Sequence, residues 1–479
     1  MRTHKINTLV CYALAFLSGI LLSMSYSVHP FWWAAWLAPG PVLFATLQAP
    51  AVHRRFLTLL TGAVGGIGSL PYHLELTGWL ATSIILMLVA LAWSSAVRLA
   101  AAFADRRQIH LALLAIPVTW AAIDTLLIHI SPHGSAGSIA YSQMDALPIL
   151  QVASLGGTPA ITFVVLLGGS LLGLLASRSN DWDGRHIITS SAFAFLVIST
   201  TLVFGMIRLG QADLVPGARV ALIATDGIEQ RPSSWDAFWQ IYGPQITQVT
   251  KPEAIVVLPE AIVRLPENAA EDAAQALASH SLRTRSTIVV GIMVDGSDGL
   301  TNRALVARPE GTYHWYLKQH LIPGIESSVT SGAQPLSLPA ASGGIGVAIC
   351  KDMHFPTLGR EYAQRGARLM LVPAYDFEVD DWLTARMTAL RGVESGMSIA
   401  RAARGGISFV SDRYGQITAE RRSDTEMGVL VASIPLDRGS RTVYSSLGDA
   451  FGWMCVVAWA GLLALRTGVF RKLLGRSNS

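Results

Sequence analysis

Glu260, Lys318 and Cys350 are the residues whose types could combine in one covalent chemistry. A thiolate is a strong nucleophile, a carboxylate in a dry pocket can take the thiol proton, and an ammonium can lower a thiol pKa and stabilise a tetrahedral oxyanion. Cys350 closes the apolar run Gly346-Val347-Ala348-Ile349, and the other cysteines, Cys11 and Cys455, lie inside long hydrophobic stretches. It therefore has no local disulfide partner. Glu260 follows Val256-Val257-Leu258-Pro259, and Lys318 closes the aromatic run Tyr313-His314-Trp315-Tyr316-Leu317. All three thus sit where a strand ends, the place where α/β sheets gather their active sites. Taken singly, each has an ordinary reading: a solvated carboxylate, a surface lysine, a buried small hydrophobe. The functional reading comes from the set.

The elements that must position this set alternate. Apolar, β-branched runs at 220–224, 254–258, 287–292, 304–307, 345–349, 369–372 and 407–410 predict strands buried on both faces. Helical patterns intervene at 234–249, 268–282, 357–366 and 382–404. Alternation of this kind argues for a layered α/β domain. No metal-ligand spacing, phosphate loop or internal repeat accompanies it, so neither cofactor nor metal is expected.

The rest of the chain is built for lipid. Of 479 residues 51% are hydrophobic and 14% charged, against about 25% charged in soluble proteins. A span takes about 20 apolar residues, and about eight candidates can be drawn: 8–26, 31–48, 56–71, 79–97, 111–130, 158–177, 187–207 and 448–466. The expected organisation is a seven-span membrane domain over 1–211, a water-facing catalytic domain over 212–442, and a last span with a short tail over 443–479. Arg2, Lys5, Arg54, Arg55, Arg98, Arg106, Arg107, Arg178, Arg185, Arg466, Arg471, Lys472 and Arg476 flank alternate loops, whereas 27–30, 72–78 and 131–157 hold no Lys or Arg. The positive-inside rule then puts both termini in the cytoplasm and 212–442 in the periplasm of a bacterial inner membrane. The first apolar stretch is long for a signal peptide and no A-x-A site follows it, so it reads as an anchor. The net charge of +4 is dispersed, which gives no case for nucleic-acid binding. Asp124, inside the fifth span, reads as a carboxyl hydrogen-bonded between helices.

Around the three residues the wording of the chain is specific. Leu258-Pro259-Glu260, the stretch Lys318-Gln-His-Leu-Ile-Pro-Gly-Ile-Glu326 and Ile349-Cys350-Lys351-Asp352-Met353-His354-Phe355-Pro356 resemble the glutamate, lysine and cysteine motifs of the nitrilase (carbon–nitrogen hydrolase) superfamily. The eight-span plan, Ala140-Tyr-Ser-Gln143, Leu150 to Gly156, and Arg386 to Gly406 are similar to its membrane-embedded branch, the apolipoprotein N-acyltransferases. The resemblance implies an αββα sandwich with Glu260, Lys318 and Cys350 as a triad, and Glu326 and Asp352 as secondary candidates that orient Lys318 or handle a proton of the incoming amine. It further implies an acyltransferase of lipoprotein maturation, with a membrane phospholipid as acyl donor, a thioester on Cys350, and the amine of a diacylglyceryl-cysteine lipoprotein as acceptor. The chain departs from the pattern at Leu258, where the family has Trp before Pro-Glu, at Lys351-Asp352, where the family has an aromatic and Glu, and at Ala374 to Trp382. Lys351 is expected to depress the thiol pKa further. These departures keep two alternatives open: a membrane-bound amidohydrolase of the nitrilase type, or an acyltransferase with another amine acceptor.

Overall fold

The computed structural model describes residues 6–177, 182–211, 217–224, 231–297, 299–340, 343–423, 427–434 and 441–467. Arg2, Lys5, Arg178, Arg471, Lys472 and Arg476, used above for orientation, lie outside them. The chain divides into two compact units, one of residues 1–130, 137–207 and 449–479, the other of residues 131–136 and 208–448.

Six helices of the described residues are long and apolar enough to cross a membrane: Thr8–Ser25, Ala51–Asp105, Ile109–Ile130, Ala153–Ala176, Gly184–Leu209 and Ala450–Thr467. Large apolar side chains such as Phe16, Leu80, Phe195, Leu196, Met454 and Val457 face outward from them, as lipid-facing helices require. The expected eight spans differ from these six in two places. Segments 56–71 and 79–97 belong to one helical run, Ala51–Asp105, with a 3₁₀ turn at Ile67–Ser69 and a non-helical Gly78. The run folds back on itself: Thr58 Oγ1 lies 2.8 Å from Ser94 Oγ, Arg54 pairs with Asp105, and a Cβ on Gly62 would collide with the Ala90 backbone. Segment 31–48 is covered by two short helices, Trp32–Leu37 and Pro39–Gln48. Ala38 between them is helical in φ and ψ; Pro39 and Pro41 lack the N–H groups that would join the two. Asp124 is buried and accepts hydrogen bonds from Ser138 Oγ at 2.6 Å and from Thr162 Oγ1, in line with the hydrogen-bonded reading.

The second unit is an αββα sandwich. Its first sheet runs Gly428–Ile434, Ala218–Ala224, Ile255–Val257, Thr287–Gly296, Gly299–Ala307, Tyr313–Leu317, with Val263–Pro266 and Val329–Thr330 as short additions. The other runs Ile417–Arg422, Ile407–Ser411, Ser398–Arg404, Ala367–Tyr375, Gly344–Val347, Leu336–Leu338. Val220 and Leu222 face Val347, Leu369 and Leu371 in the core between the sheets. Their neighbours Ala221 and Ile223 face the helices Trp235–Val249 and Glu267–Thr284 through Phe238, Tyr242 and Leu277. This period of two with both faces buried explains the continuous apolar runs. Helices Pro356–Gln364 and Asp381–Ser395 cover the other sheet.

The helix expected over 382–404 is shorter than that. It ends at Ser395, capped by Gly396 at φ 73°, and Ser398–Arg404 is a strand paired in parallel with Ala367–Tyr375. Glycine adopts this left-handed cap without steric cost. The Ala-rich composition of 398–404 favours helix, but central placement in the sheet overrides it.

Candidate active site

Glu260 lies just past the strand Ile255–Val257 and is held by backbone on two sides. Its N–H donates to Ala374 O at 3.3 Å, and its Oε2 accepts from Tyr375 N at 3.0 Å. The next residue, Ala261, has φ 53°, and Cys350 has φ 44°. Non-glycine residues in this region are strained, and two of the five among the described residues are here. A Cβ on Gly291 would strike Pro259 O and Glu260 Cα, so this glycine lets the glutamate turn lie against the strand Thr287–Gly296.

Lys318 meets two carboxylates. Its Nζ is 2.8 Å from Glu260 Oε1 and 2.9 Å from both Glu326 oxygens. Asn302 Nδ2 donates to Glu260 Oε1 at 2.6 Å and to Glu326 Oε1 at 3.2 Å, while Ile322 N donates to Glu326 Oε2 at 2.8 Å. The side chain of Lys318 is 1% exposed. Burial opposes its charge, but Glu260, Cys350 and Glu326 outweigh it and raise the ammonium pKa. Burial raises the Glu260 pKa, with Lys318 opposing, which turns a weak base into a better one.

Cys350 begins the short 3₁₀ turn Cys350–His354, and its Sγ lies 3.5 Å from Tyr375 O. Burial and then the Glu260 charge push its thiol well above the ordinary pKa; Lys318 and Arg401 pull the other way and lose. The expectation of a thiol depressed by neighbouring lysines is corrected here: a buried thiol beside a carboxylate rests in the protonated form. A protonated thiol acts as a nucleophile only when a base takes its proton, and Glu260 is a carboxylate whose charge acts on this thiol.

Of the secondary candidates, Glu326 touches Lys318 directly. Asp352 does not; it ties the lysine loop to the cysteine turn. Its Oδ1 accepts from His320 N at 2.8 Å and Gln319 N at 3.1 Å, with His320 Nδ1 also at 3.1 Å. Its Oδ2 accepts from Tyr316 Oη at 2.7 Å and Ile349 N at 3.0 Å. The His320 ring stacks on Phe355 with centroids 3.7 Å apart. Lys351 donates to Leu321 O at 2.8 Å. Beyond Tyr375, buried Arg401 pairs with Asp376 and donates to Ile407 O at 2.8 Å. Asp380 is buried beside them, and burial, then Asp376, raises its pKa to about 8.

Sequence reasoning did not single out Asn302, Tyr316 or Asp376. Asn302 gave little signal, since it stands between Thr301 and Arg303 ahead of the apolar run 304–307. Among the described residues no group of three or more His, Cys, Asp or Glu is arranged to hold a metal ion. An arrangement of this kind can serve covalent chemistry at a thiol, with a carboxylate and an ammonium already in contact with each other.

Known proteins match this picture. Residues 18–171 match the apolipoprotein N-acyltransferase N-terminal domain, and residues 228–444 match the carbon–nitrogen hydrolase family. The chain is 25% identical to the apolipoprotein N-acyltransferase of Geobacter metallireducens, covering 95% of each chain. It is 22% identical to that of Haemophilus influenzae, covering 92% of each. An amidase from Nesterenkonia sp. is similar in structure, with TM-score 0.40 and 23% identity over 47% of this chain and 95% of that one. The matched domains in this order and the near full-length relatives place the chain in the apolipoprotein N-acyltransferase family, a membrane-embedded branch of the carbon–nitrogen hydrolase superfamily.

Proposed function

We propose that this protein moves a fatty acyl chain from a membrane phospholipid, through a thioester on Cys350, to the N-terminal amine of diacylglyceryl-cysteine lipoproteins. The observation that carries this is a buried ammonium, Lys318, clamped by Glu260 and Glu326 and in electrostatic contact with the Cys350 thiol. The relatives' names supply the substrate class.

In this reading Glu260 takes the Cys350 proton as sulfur attacks the ester carbonyl. A C–S bond forms, and the oxyanion is stabilised by Lys318 and by backbone N–H groups of the cysteine turn. Collapse breaks the C–O bond, and Glu260 returns its proton to the departing lysophospholipid oxygen. The acceptor amine then attacks the thioester and gives a proton to Glu260; the C–S bond breaks, and the thiolate recovers the proton. Glu326 holds Lys318 in place throughout. Membrane helices suit such substrates, because drawing an acyl chain out of lipid costs about 0.8 kcal/mol per CH₂. The Lys/Arg pattern of the loops supports termini in the cytoplasm and a periplasmic catalytic domain over 212–442 in the bacterial inner membrane.

The test is complementation of a bacterial strain depleted of its own N-acyltransferase. The wild-type gene is expected to restore growth and N-acylated lipoprotein, and Cys350→Ala is not. The departures at Lys351-Asp352 and 374–382 favour, as a second reading, a transferase with a different amine acceptor. Acyl-enzyme formation without rescue is its signature, whereas release of free fatty acid alone marks an amidohydrolase.

A further inference from the structure

Lys351 is a buried cation that the steps above do not use. It is 3% exposed. Its one hydrogen bond among the described residues goes to a neutral carbonyl, Leu321 O, and no carboxylate pairs with it. An ammonium carries three donors, so two are left over. The carboxylates around it are committed elsewhere: Glu260 to Lys318, Asn302 and Tyr375 N; Glu326 to Lys318, Asn302 and Ile322 N; Asp352 to the lysine loop, Tyr316 and Ile349 N. A buried charge without a counter-ion is costly. Burial first, and Lys318 second, lower its pKa to about 8. An arriving anion would reverse that cost.

We propose that the Lys351 ammonium is the recognition point for an anionic group of the acyl donor, the phosphodiester that joins the ester-bearing glycerol to the headgroup of a phospholipid. This rests on the acyl-transfer reading. Of the two substrates only the donor must carry an anion near its reacting ester. The acceptor brings an amine, which the same positive charge disfavours as ammonium and tolerates as the free base that can attack. Lys318 cannot serve, because two carboxylates already enclose it. Lysine suits the role as a compact point charge on a flexible stem. Its placement one residue after the nucleophile fixes the anion relative to the thiol.

The test uses the full chain in detergent micelles, with acylation of Cys350 followed by intact mass. Two donors with identical acyl chains are compared: phosphatidylethanolamine, and diacylglycerol, which has the same esters and no phosphate. Lys351→Met is expected to lower kcat/KM for phosphatidylethanolamine about tenfold or more, through KM, the worth of one charge-assisted hydrogen bond. Acylation by diacylglycerol stays within about twofold, and Lys351→Arg keeps most of the phospholipid preference. Equal loss with both donors, as a role in oxyanion stabilisation or a damaged fold would give, overturns the proposal, and so does no loss with either. A second measurement does not depend on turnover. Soluble glycerophosphoethanolamine is expected to slow alkylation of Cys350 by iodoacetamide in the wild type and not in Lys351→Met; absence of protection in the wild type overturns the proposal. Failure of both donors to acylate the wild type defeats the acyl-transfer reading itself, and the protection experiment reads that case separately.

Discussion

The two walls of the site are built on opposite principles. On the side of the first sheet, Glu260, Lys318 and Glu326 form a set in which each charge touches its counter-charge, bridged by Asn302 Nδ2, with Asn302 Oδ1 left without a partner. On the side of the second sheet Arg401 pairs with Asp376, and the other groups are left open. Cys350 is a strained, protonated thiol, Lys351 has no counter-ion among the described residues, and Asp376 and Asp380 each keep a buried oxygen without a hydrogen-bond partner. Closed networks are rigid and cost little reorganisation during a reaction. Open ones wait for a substrate. In the proposed reaction the first wall supplies the base and the fixed ammonium, and the second supplies the nucleophile and the unpaired groups that a substrate would meet.

The largest expected effect breaks the first wall at Glu260. Glu260→Gln should lower acyl transfer by roughly 10²–10⁴, the worth of a positioned general base. The same change removes a negative charge that raises the Cys350 pKa, so iodoacetamide alkylation of Cys350 should shift to lower pH. An inactive enzyme with a more easily ionised thiol separates the role of base from mere damage; an unchanged alkylation profile would contradict the electrostatics. Lys318→Met comes next. Loss of one oxyanion donor lowers turnover by roughly 10²–10³, and breaking a buried ion pair costs about 3–5 kcal/mol. Both should appear together, as turnover and as a lowered thermal midpoint.

The hinge between the walls should show mainly in stability. Asp352→Ala leaves the N–H groups of Gln319, His320 and Ile349 without their acceptor, a loss of about 3 kcal/mol or more at one to three for each orphaned group. Asp352→Glu should fail to restore all of it, since the longer chain cannot keep both oxygens on the same donors.

The smallest effect is a pH dependence on the second wall. The Asp380 pKa is raised to about 8 from an ordinary 3.8, by burial and by Asp376. Across that interval the folded chain holds a proton that the unfolded chain has released, so this group's contribution to stability falls as pH rises from about 4 to about 8. Asp380→Asn should flatten that part of a plot of thermal midpoint against pH. An unchanged slope would remove Asp380 from the open set.

How much of this was legible depends on the residue. The strand ends carrying Glu260, Lys318 and Cys350 could be read because buried strands write themselves as apolar runs and a polar residue at the end stands out. The αββα arrangement came from resemblance, since alternation alone gives only an α/β class. The resemblance gives Asp352 as orienting Lys318 or handling a proton, while its five donors come from segments 316, 319–320 and 349 that meet only in the folded chain. The elevation of the Cys350 pKa was equally out of reach, because burial is a property of the packed sandwich and outweighs the lysine charge that the sequence displays. Ser398–Arg404 looked helical because its alanines favour helix; the stop signal, Gly396, was present and underweighted. The count of eight spans is not matched by the six long helices: Pro39 interrupts one segment, and the arms 56–71 and 79–97 share one helical run that folds back on itself.

The most direct test of the central claim is the intact mass of the full chain after incubation with phosphatidylethanolamine and no acceptor. The account predicts one acyl group on the wild type, mapped to Cys350 and labile to hydroxylamine as a thioester is. It should be absent from Cys350→Ala and discharged onto an added diacylglyceryl-cysteine peptide as an amide. No adduct on the wild type, or an adduct that persists in Cys350→Ala, would contradict it.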